Sequence, residues 1–200
     1  MTKIFTFLIC CFWLLTSVLN TQGQESENQQ RVKVSSALLV IDIQNDFLPY
    51  MSETDKKSAM EIINKTITIF HEKRLPVIRI YHQDLNYGGP QPGSHGFEFP
   101  ETVCIDNNDP KVIKHYENAF TKTCLDSLLR ELGVNTVFLC GLSATGCVLG
   151  TYFGSRDHDY FVFIVKDGII SPKTEQTDMI REICSSMNFD SISSMLNRKE

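Results

Sequence analysis

The chain has 200 residues, of which 42% are hydrophobic, and this is enough to form the buried core of a single domain. Its formal net charge of -5 and the lack of a long basic cluster argue against a nucleic-acid-binding protein. The sequence also lacks RNA-recognition motifs, zinc-finger spacing and coiled-coil heptads.

The first 23 residues have the pattern of a secretory signal peptide. A mostly apolar run from Ile4 to Leu19 follows Lys3 and ends before the small residue Gly23. This run is shorter than the roughly 20 apolar residues that a membrane span requires. We therefore expect cleavage near Gly23 rather than an uncleaved anchor. The mature chain would then lie in the secretory lumen or outside the cell and would not associate with the membrane.

Cleavage would remove two of the seven cysteines. Five would remain in the mature chain: Cys104, Cys124, Cys140, Cys147 and Cys184. An odd number leaves at least one thiol unpaired in an oxidising compartment, and such a thiol is either buried or functional. The sequence leaves open both the pairing of the other four and the glycosylation of Asn64, whose sequon lies inside a predicted helix.

The N-terminal half of the chain alternates strands with a helix, after a polar linker at 24–34. Ala37–Ile41 is a continuous apolar run, which is typical of a strand buried on both faces of a parallel sheet. The predicted elements continue in chain order with a helix at 52–73, a strand at 76–81, a loop at 86–110 and a short strand at 111–114. A loop of that length, rich in glycine and proline, is uncommon in a compact domain unless it carries function.

The same alternation continues in the C-terminal half. The predicted elements are a helix at 121–132, a strand at 136–140, a helix at 147–157, a strand at 160–165, a helix at 174–187 and a short strand at 190–193. This pattern predicts an α/β domain at 35–200, a three-layer sandwich with a mostly parallel sheet of about six strands. Ligands of such sheets lie beyond the carboxyl ends of the strands.

Three residues at that predicted edge could carry chemistry. Asp42 follows the first buried strand, where partial desolvation would suit its carboxylate to take a proton. Cys147 follows Gly141–Gly146 at a predicted helix start, whose free N–H groups favour a thiolate and can bind an oxyanion. Lys114 ends the short third strand, where its charge could hold a carboxylate and a thiolate together. Taken singly, each could instead be an ordinary capping aspartate, buried cysteine or solvated lysine.

Together these segments resemble the isochorismatase-like cysteine hydrolases, a superfamily that includes nicotinamidases, N-carbamoylsarcosine amidases and ureidoacrylate hydrolases. The resemblance covers residues 36–170. The matching segments are Ala37–Phe47, Val112–Lys114, Ala119–Phe120, Thr123–Leu125, Gly141–Val148 and Val165–Asp167. Each segment is a weak signal alone, but their order and spacing are specific.

The resemblance implies roles for the three residues. Asp42 would be the base, Lys114 the orienting cation and Cys147 the nucleophile of a catalytic triad. A cis peptide between Leu142 and Ser143 is implied as well, with an oxyanion hole formed by the N–H groups of Ser143 and Cys147. A homo-oligomer is expected from the same resemblance.

Four further residues are candidates for binding a small-molecule substrate: Phe47, Tyr81, His82 and Tyr152. The chain also departs from its relatives in two places. Many members have threonine three residues before the cysteine, where this chain has Ala144. Nicotinamidases carry an Asp-x-His metal motif after the second strand, whereas this chain has His82-Gln83-Asp84 in reverse order and then His95. We therefore expect neither a metal nor another cofactor.

The expected activity is hydrolysis of a C–N bond in a small amide or ureide through a thioester on Cys147. Two alternatives stay open. One is vinyl ether cleavage of the isochorismate type, which in relatives needs the aspartate and the lysine but not the cysteine. The other is a secreted binding or effector protein that has lost turnover. The presence of Cys147 favours the amide reaction, while the sequence does not identify the substrate.

Overall fold

The computed structural model of the protein describes residues 34–85 and 88–198. The predicted signal peptide at 1–23 and nearly all of the predicted linker at 24–34 lie outside the described residues. None of the helices within the described ranges has the length and hydrophobicity needed to cross a lipid bilayer.

The described chain forms one sheet of six strands. They are β1 (Ser36–Ile41), β2 (Val77–His82), β3 (Lys111–Lys114), β4 (Thr136–Leu142), β5 (Phe161–Ile170) and β6 (Ser186–Met187). Their order is β3-β2-β1-β4-β5-β6, and every neighbouring pair is parallel. The prediction of an α/β fold with about six mostly parallel strands is confirmed.

Helices cover both faces of the sheet. They are α1 (Glu53–Glu72), α2 (Leu125–Glu131), α3 (Leu149–Asp157), α4 (Thr174–Ile183) and α5 (Phe189–Leu196). Two apolar clusters separate the layers, one between the sheet and α2, α3 and α4, the other between the sheet and α1 and α5. The domain is therefore a three-layer sandwich.

The central strand β1 is completely buried because it contributes to both clusters. Leu39 and Ile41 pack in the cluster beneath α2, α3 and α4, whereas Leu38 and Val40 pack in the cluster beneath α1 and α5. This alternation follows from the two-residue repeat of a strand. Each fully buried Leu or Ile side chain contributes roughly 1.5–3 kcal/mol to stability, so β1 gives the residue after it a rigid support.

The C-terminal element predictions are partly wrong. The strand expected at 190–193 is part of α5, and the last strand is Ser186–Met187. Asn188 caps α5, because its side chain accepts a hydrogen bond from the backbone N–H of Ser191. Ile192 on the next turn is fully buried, so helical spacing places the apolar side chains on the core.

The side chain of Asn64 ties α1 to the long loop before β3. Its amide nitrogen donates to the carbonyl of Thr102 at 2.8 Å, and its amide oxygen accepts from the N–H of Cys104 at 2.9 Å. A glycan on this nitrogen would replace one of its two N–H groups and leave a single donor for the bond to Thr102. The folded state therefore uses the Asn64 amide as a loop anchor.

Candidate active site

The three residues predicted as a triad meet at the carboxyl edge of the sheet. Asp42 follows β1, Lys114 ends β3 and Cys147 follows β4. The Lys114 ammonium donates to Oδ2 of Asp42 at 2.7 Å and to Sγ of Cys147 at 3.1 Å. Lys114 is completely buried and Asp42 is 2% exposed, so little water competes for these contacts.

A fourth residue, His82 at the end of β2, completes the contacts of the lysine. Lys114 Nζ lies 3.0 Å from Nδ1 of His82. An ammonium has three N–H groups and accepts no hydrogen bond, so Asp42, His82 and Cys147 use all of its donors. The same restriction makes Nδ1 the acceptor and leaves the proton of a neutral His82 on Nε2.

The backbone of His82 is held by Gln44, which is completely buried. The Gln44 side chain accepts from the His82 N–H at 2.7 Å and donates to the His82 carbonyl at 3.0 Å. Two bonds to the backbone of one residue fix the end of β2 against the loop that carries Asp42. Gln44 was not among the predicted site residues, although it lies in the same segment as Asp42.

The backbone after β1 is bent to present Asp42. Asp42 has a φ of 54°, a left-handed conformation that costs most L-residues about 1–2 kcal/mol and that aspartate tolerates better than most. On the neighbouring strand β4, Gly141 pairs with Ile41, the residue before Asp42, and has a φ of 117°. A Cβ there would lie 2.0 Å from the carbonyl oxygen of Ile41, so only glycine permits the two strands to end this close together.

The segment between β4 and α3 carries Cys147. A cis peptide joins Leu142 and Ser143, as the resemblance implied. Residues Ala144–Val148 then form a π-helix, and α3 begins only at Leu149. Cys147 therefore lies inside the π-helix and not at the start of α3, as had been predicted. The Ser143 carbonyl accepts from the N–H groups of Gly146 and Val148. Within the described chain, the N–H of Ser143 donates no backbone hydrogen bond.

The thiol of Cys147 is neutral at rest. Burial, reinforced by the Asp42 carboxylate, raises the pKa of Cys147 to about 12, although the Lys114 charge opposes this. This thiol pKa is shifted upward, opposite to the direction expected from a helix terminus, because burial and the Asp42 carboxylate outweigh the Lys114 charge. For Lys114, burial alone would lower the pKa, but Asp42 and Cys147 together raise it, so the lysine is charged.

Two oxygens of Asp42 have different surroundings. Oδ2 accepts from Lys114, whereas Oδ1 is buried without a hydrogen-bond partner among the described residues. A buried carboxylate oxygen without a hydrogen bond lowers the stability of the fold, and a catalytic role is one reason for such an atom to persist. Oδ1 is therefore available to accept a proton.

A pocket of about 210 Å³ opens onto these groups. Its lining residues are Asp42, Phe47, Tyr50, Met51, His82, Leu142, Ser143 and Cys147. The pocket includes Phe47 and His82 as predicted, and it adds Tyr50, Met51 and Leu142. A larger groove between α1 and α5 is lined by neither a cysteine nor a buried charge, so the smaller pocket is the candidate active site.

Tyr81 and Tyr152 do not line this pocket, which corrects their prediction as substrate-binding residues. Tyr81 precedes His82 on β2 and points to the opposite face, where its ring stacks on Phe99 with centroids 4.3 Å apart. Tyr152 is 4% exposed within the cluster beneath α3, and its hydroxyl accepts from the N–H of Ser185. Both tyrosines are part of the core.

The site does not fit the metal that the nicotinamidase motif would hold. Among the described residues, one group could supply three ligand atoms, and it consists of Asp42, His82 and Cys147, whose atoms lie within 4.8 Å of one another. The Lys114 ammonium donates to all three and so occupies the position that a cation would need. Asp84 and His95 do not belong to this group.

Comparison with known proteins agrees with the fold. The isochorismatase domain model matches residues 36–187. The uncharacterized isochorismatase family protein YddQ of Bacillus subtilis is 29% identical over 153 residues, which cover 74% of this chain and 84% of that protein. A probable inactive nicotinamidase of Arabidopsis thaliana is 27% identical over 148 residues, covering 63% and 75% respectively.

The structure of the pyrazinamidase of Pyrococcus horikoshii in complex with zinc superposes with a TM-score of 0.68 and 25% identity. The match covers 78% of this chain and 99% of the pyrazinamidase. The family thus includes an amidase as well as a member described as inactive. Since the family model spans β1 to β6, the chain belongs to the isochorismatase domain family of hydrolases.

Proposed function

We propose that this protein is a cysteine hydrolase that cleaves the C–N bond of a small amide or ureide through a thioester on Cys147. The main support is the Lys114 ammonium, which contacts both the Asp42 carboxylate and the Cys147 sulfur inside one pocket. A nucleophile, a base and a cation in mutual contact form an arrangement suited to acyl transfer.

The first step would be transfer of the Cys147 proton to Asp42. Because the thiol pKa is about 12, the thiolate would form only as the substrate is attacked. Oδ1 of Asp42 is the free acceptor, and Lys114 would stabilise the new negative charge on sulfur. The sulfur then bonds to the carbonyl carbon, and the carbonyl π electrons move to its oxygen. The N–H groups of Ser143 and Cys147, which the family resemblance assigns to the oxyanion hole, would donate to that oxyanion.

The second step would break the C–N bond. The oxyanion re-forms the carbonyl, the nitrogen leaves with the bonding pair, and the proton held by Asp42 passes to it. Asp42 is then a carboxylate again and can take a proton from water. The resulting hydroxide attacks the thioester, the carboxylic acid leaves, and the thiolate regains the proton from Asp42. The cycle returns each group to its resting state.

Vinyl ether cleavage of the isochorismate type is a second candidate because it would use Asp42 and Lys114 without a nucleophile. The hydrogen bond from Lys114 to the Cys147 sulfur favours the thioester route instead. Vinyl ether cleavage would need Lys114 only beside Asp42 and would not require this contact. A protein without turnover is a third candidate, suggested by the relative that is described as inactive. The buried charge pair and the open pocket argue against it.

Two parts of the proposal rest on sequence and resemblance. The apolar run before Gly23 supports export through the secretory pathway. Family resemblance supports a homo-oligomer, which light scattering on the purified mature chain would test. A monomer at micromolar concentration would contradict that part alone.

The decisive experiment is a screen of small amides and ureides with the purified mature chain, coupled to detection of released ammonia. A substrate found there should leave an acyl group on Cys147 when the reaction is quenched in acid, visible by peptide mass spectrometry. Turnover without any acyl-Cys147 would favour a route without a thioester. Absence of turnover together with an unreactive Cys147 would support the third candidate, a protein without turnover.

A further inference from the structure

We infer that the pocket accepts carboxamides with a small, uncharged acyl group and rejects those that carry a carboxylate. This selectivity depends on the proposed function at the same pocket. Three features of the site support it: the chemistry of the lining, the hydrogen bonds of the buried Lys114 ammonium, and the charges around His82.

The lining is mostly aromatic or aliphatic. Phe47, Tyr50, Met51 and Leu142 contribute apolar side chains to it. Its volume of about 210 Å³ is smaller than the roughly 300–1,000 Å³ of pockets that hold drug-sized ligands. The acyl group therefore has to be small, and it would be desolvated against apolar side chains.

The buried Lys114 ammonium is not available to a substrate. Each of the three N–H groups of Lys114 already donates to a side chain of the site. Among the described residues that line the pocket there is no arginine and no other lysine. A substrate carboxylate would lose its hydration without gaining a charged partner, which is unfavourable.

The charges around the pocket are predominantly negative. Asp42 lies within the lining, and the carboxylates of Asp84 and Glu117 are close enough to act on His82. Burial and the Lys114 charge nonetheless keep the pKa of His82 below its ordinary value, so the imidazole does not offset these carboxylates at neutral pH. An anionic acyl group would face several like charges and no free lysine or arginine among the described residues that line the pocket.

Two electrophiles that differ only in this charge provide the test. Iodoacetamide is a neutral carboxamide, whereas iodoacetate carries a carboxylate at the same place. Peptide mass spectrometry would follow the alkylation of Cys147 by each reagent, with the exposed Cys104 and Cys124 of the same molecule as references. The ratio of the alkylation rate with iodoacetamide to that with iodoacetate should be about tenfold greater at Cys147 than at the exposed thiols. Nearby like charges in a poorly solvated site would have this effect on the anionic reagent. Equal preferences would overturn the inference, and so would a Cys147 that neither reagent reaches.

A charge added at the pocket mouth should reverse the effect. Tyr50 lines the pocket and is 74% exposed, so Tyr50→Arg can place a cation there without disturbing the core. This variant should bring the reagent preference of Cys147 close to that of the exposed thiols. Phe161→Arg is the matched control, because Phe161 is 60% exposed at the start of β5, at the opposite edge of the sheet. An unchanged preference in Tyr50→Arg would contradict the inference.

A substrate pair separates this inference from the proposed function. Propanamide and succinamate share an amide and a two-carbon chain, but succinamate adds a carboxylate. We expect turnover of propanamide or its close neutral analogues and at least about tenfold slower turnover of succinamate. Preferred turnover of succinamate would overturn the charge selectivity while keeping the hydrolase. A reagent preference at Cys147 without turnover of any amide would overturn the hydrolase while keeping the charge selectivity.

Discussion

Nδ1 of His82 accepts a hydrogen bond from the Lys114 ammonium at 3.0 Å, although the two residues belong to different strands. The register of β2 and β3 pairs these two residues, and Gln44 holds the backbone of His82 in place. His82 thus directs the third N–H of Lys114 away from Asp42 and Cys147. Protonation of His82 would remove this acceptor and add a second positive charge beside the lysine.

Activity should therefore fall at acid pH through His82. Burial, followed by the charge of Lys114, lowers the pKa of His82 from the ordinary value of 6.5, while the carboxylates of Asp42, Asp84 and Glu117 oppose this shift. A lowered histidine pKa keeps the ring neutral at pH 7 and places its protonation below 6.5. The acid limb of kcat/KM should lie below that value.

His82→Asn tests this prediction because the asparagine oxygen can replace Nδ1 as an acceptor and does not titrate. The variant should keep measurable activity and lose the histidine part of the acid limb, so that its profile stays flat to lower pH. His82→Leu, which has no acceptor, should lose about tenfold or more in kcat, typical of a lost hydrogen bond to a charged group. His115→Asn is the control, since His115 is exposed and bonds the Gln83 carbonyl. An unchanged acid limb in His82→Asn would show that another group sets it.

Cys147→Ala should abolish amide hydrolysis while the fold persists. Loss of the nucleophile in covalent catalysis reduces kcat by about a thousandfold or more. The Asp42–Lys114 ion pair stays intact in this variant, so the thermal unfolding midpoint should change little. Cys124→Ala, at an exposed thiol remote from the pocket, should keep full activity. Full activity of Cys147→Ala would rule out the thioester.

Much of the fold could be predicted from the apolar runs of the central strands. Asp42 and Cys147 could be selected as site residues because each follows a strand buried on both faces, where ligands of parallel sheets lie. Lys114 needed the family resemblance, because the reach of a lysine from β3 across β2 to β1 depends on tertiary packing. The order of strands in the sheet cannot be read from spacing alone.

Other features of the site depended on effects that sequence patterns do not measure. Tyr81 and His82 were both predicted to line the pocket. Neighbouring residues of a strand face opposite sides, however, and only His82 lines the pocket. The thiol pKa of Cys147 was inferred from helix position, whereas burial and Asp42 decide it. Burial is a property of the folded chain, so the sign of this shift required the structure.

Export is testable without a substrate. If residues 1–23 act as a signal peptide, the protein recovered from a secretory host should begin near Gln24 and appear outside the cytosol. N-terminal sequencing of the soluble product checks this directly. A charged substitution in the apolar run, Leu14→Arg, should retain the chain inside the cell, whereas Gln29→Arg in the predicted linker should not. A soluble product that still carries Met1 would contradict the prediction.

The last prediction concerns the buried pair of Lys114 and Asp42. Lys114→Met removes the charge at similar volume and leaves the Asp42 carboxylate buried without its partner, which should cost about 3–5 kcal/mol of stability. The same change removes the cation that opposes the high thiol pKa, so the pKa of Cys147 should rise further and its alkylation at neutral pH should slow.

A double variant separates the two effects. Asp42→Asn together with Lys114→Met leaves no buried charge, so most of the lost stability should return, while hydrolysis should stay absent because both the base and the cation are gone. Lys111→Met is the control: Lys111 is on the exposed side of β3 and bonds Glu98 at 3.3 Å, so its loss should cost at most about 1 kcal/mol. Urea denaturation would measure the stability, and alkylation rates of Cys147 against pH would measure the thiol reactivity. Both would be compared among the unmodified protein and the three variants. If Lys114→Met matched Lys111→Met in stability and in thiol reactivity, Lys114 would have no role in the site.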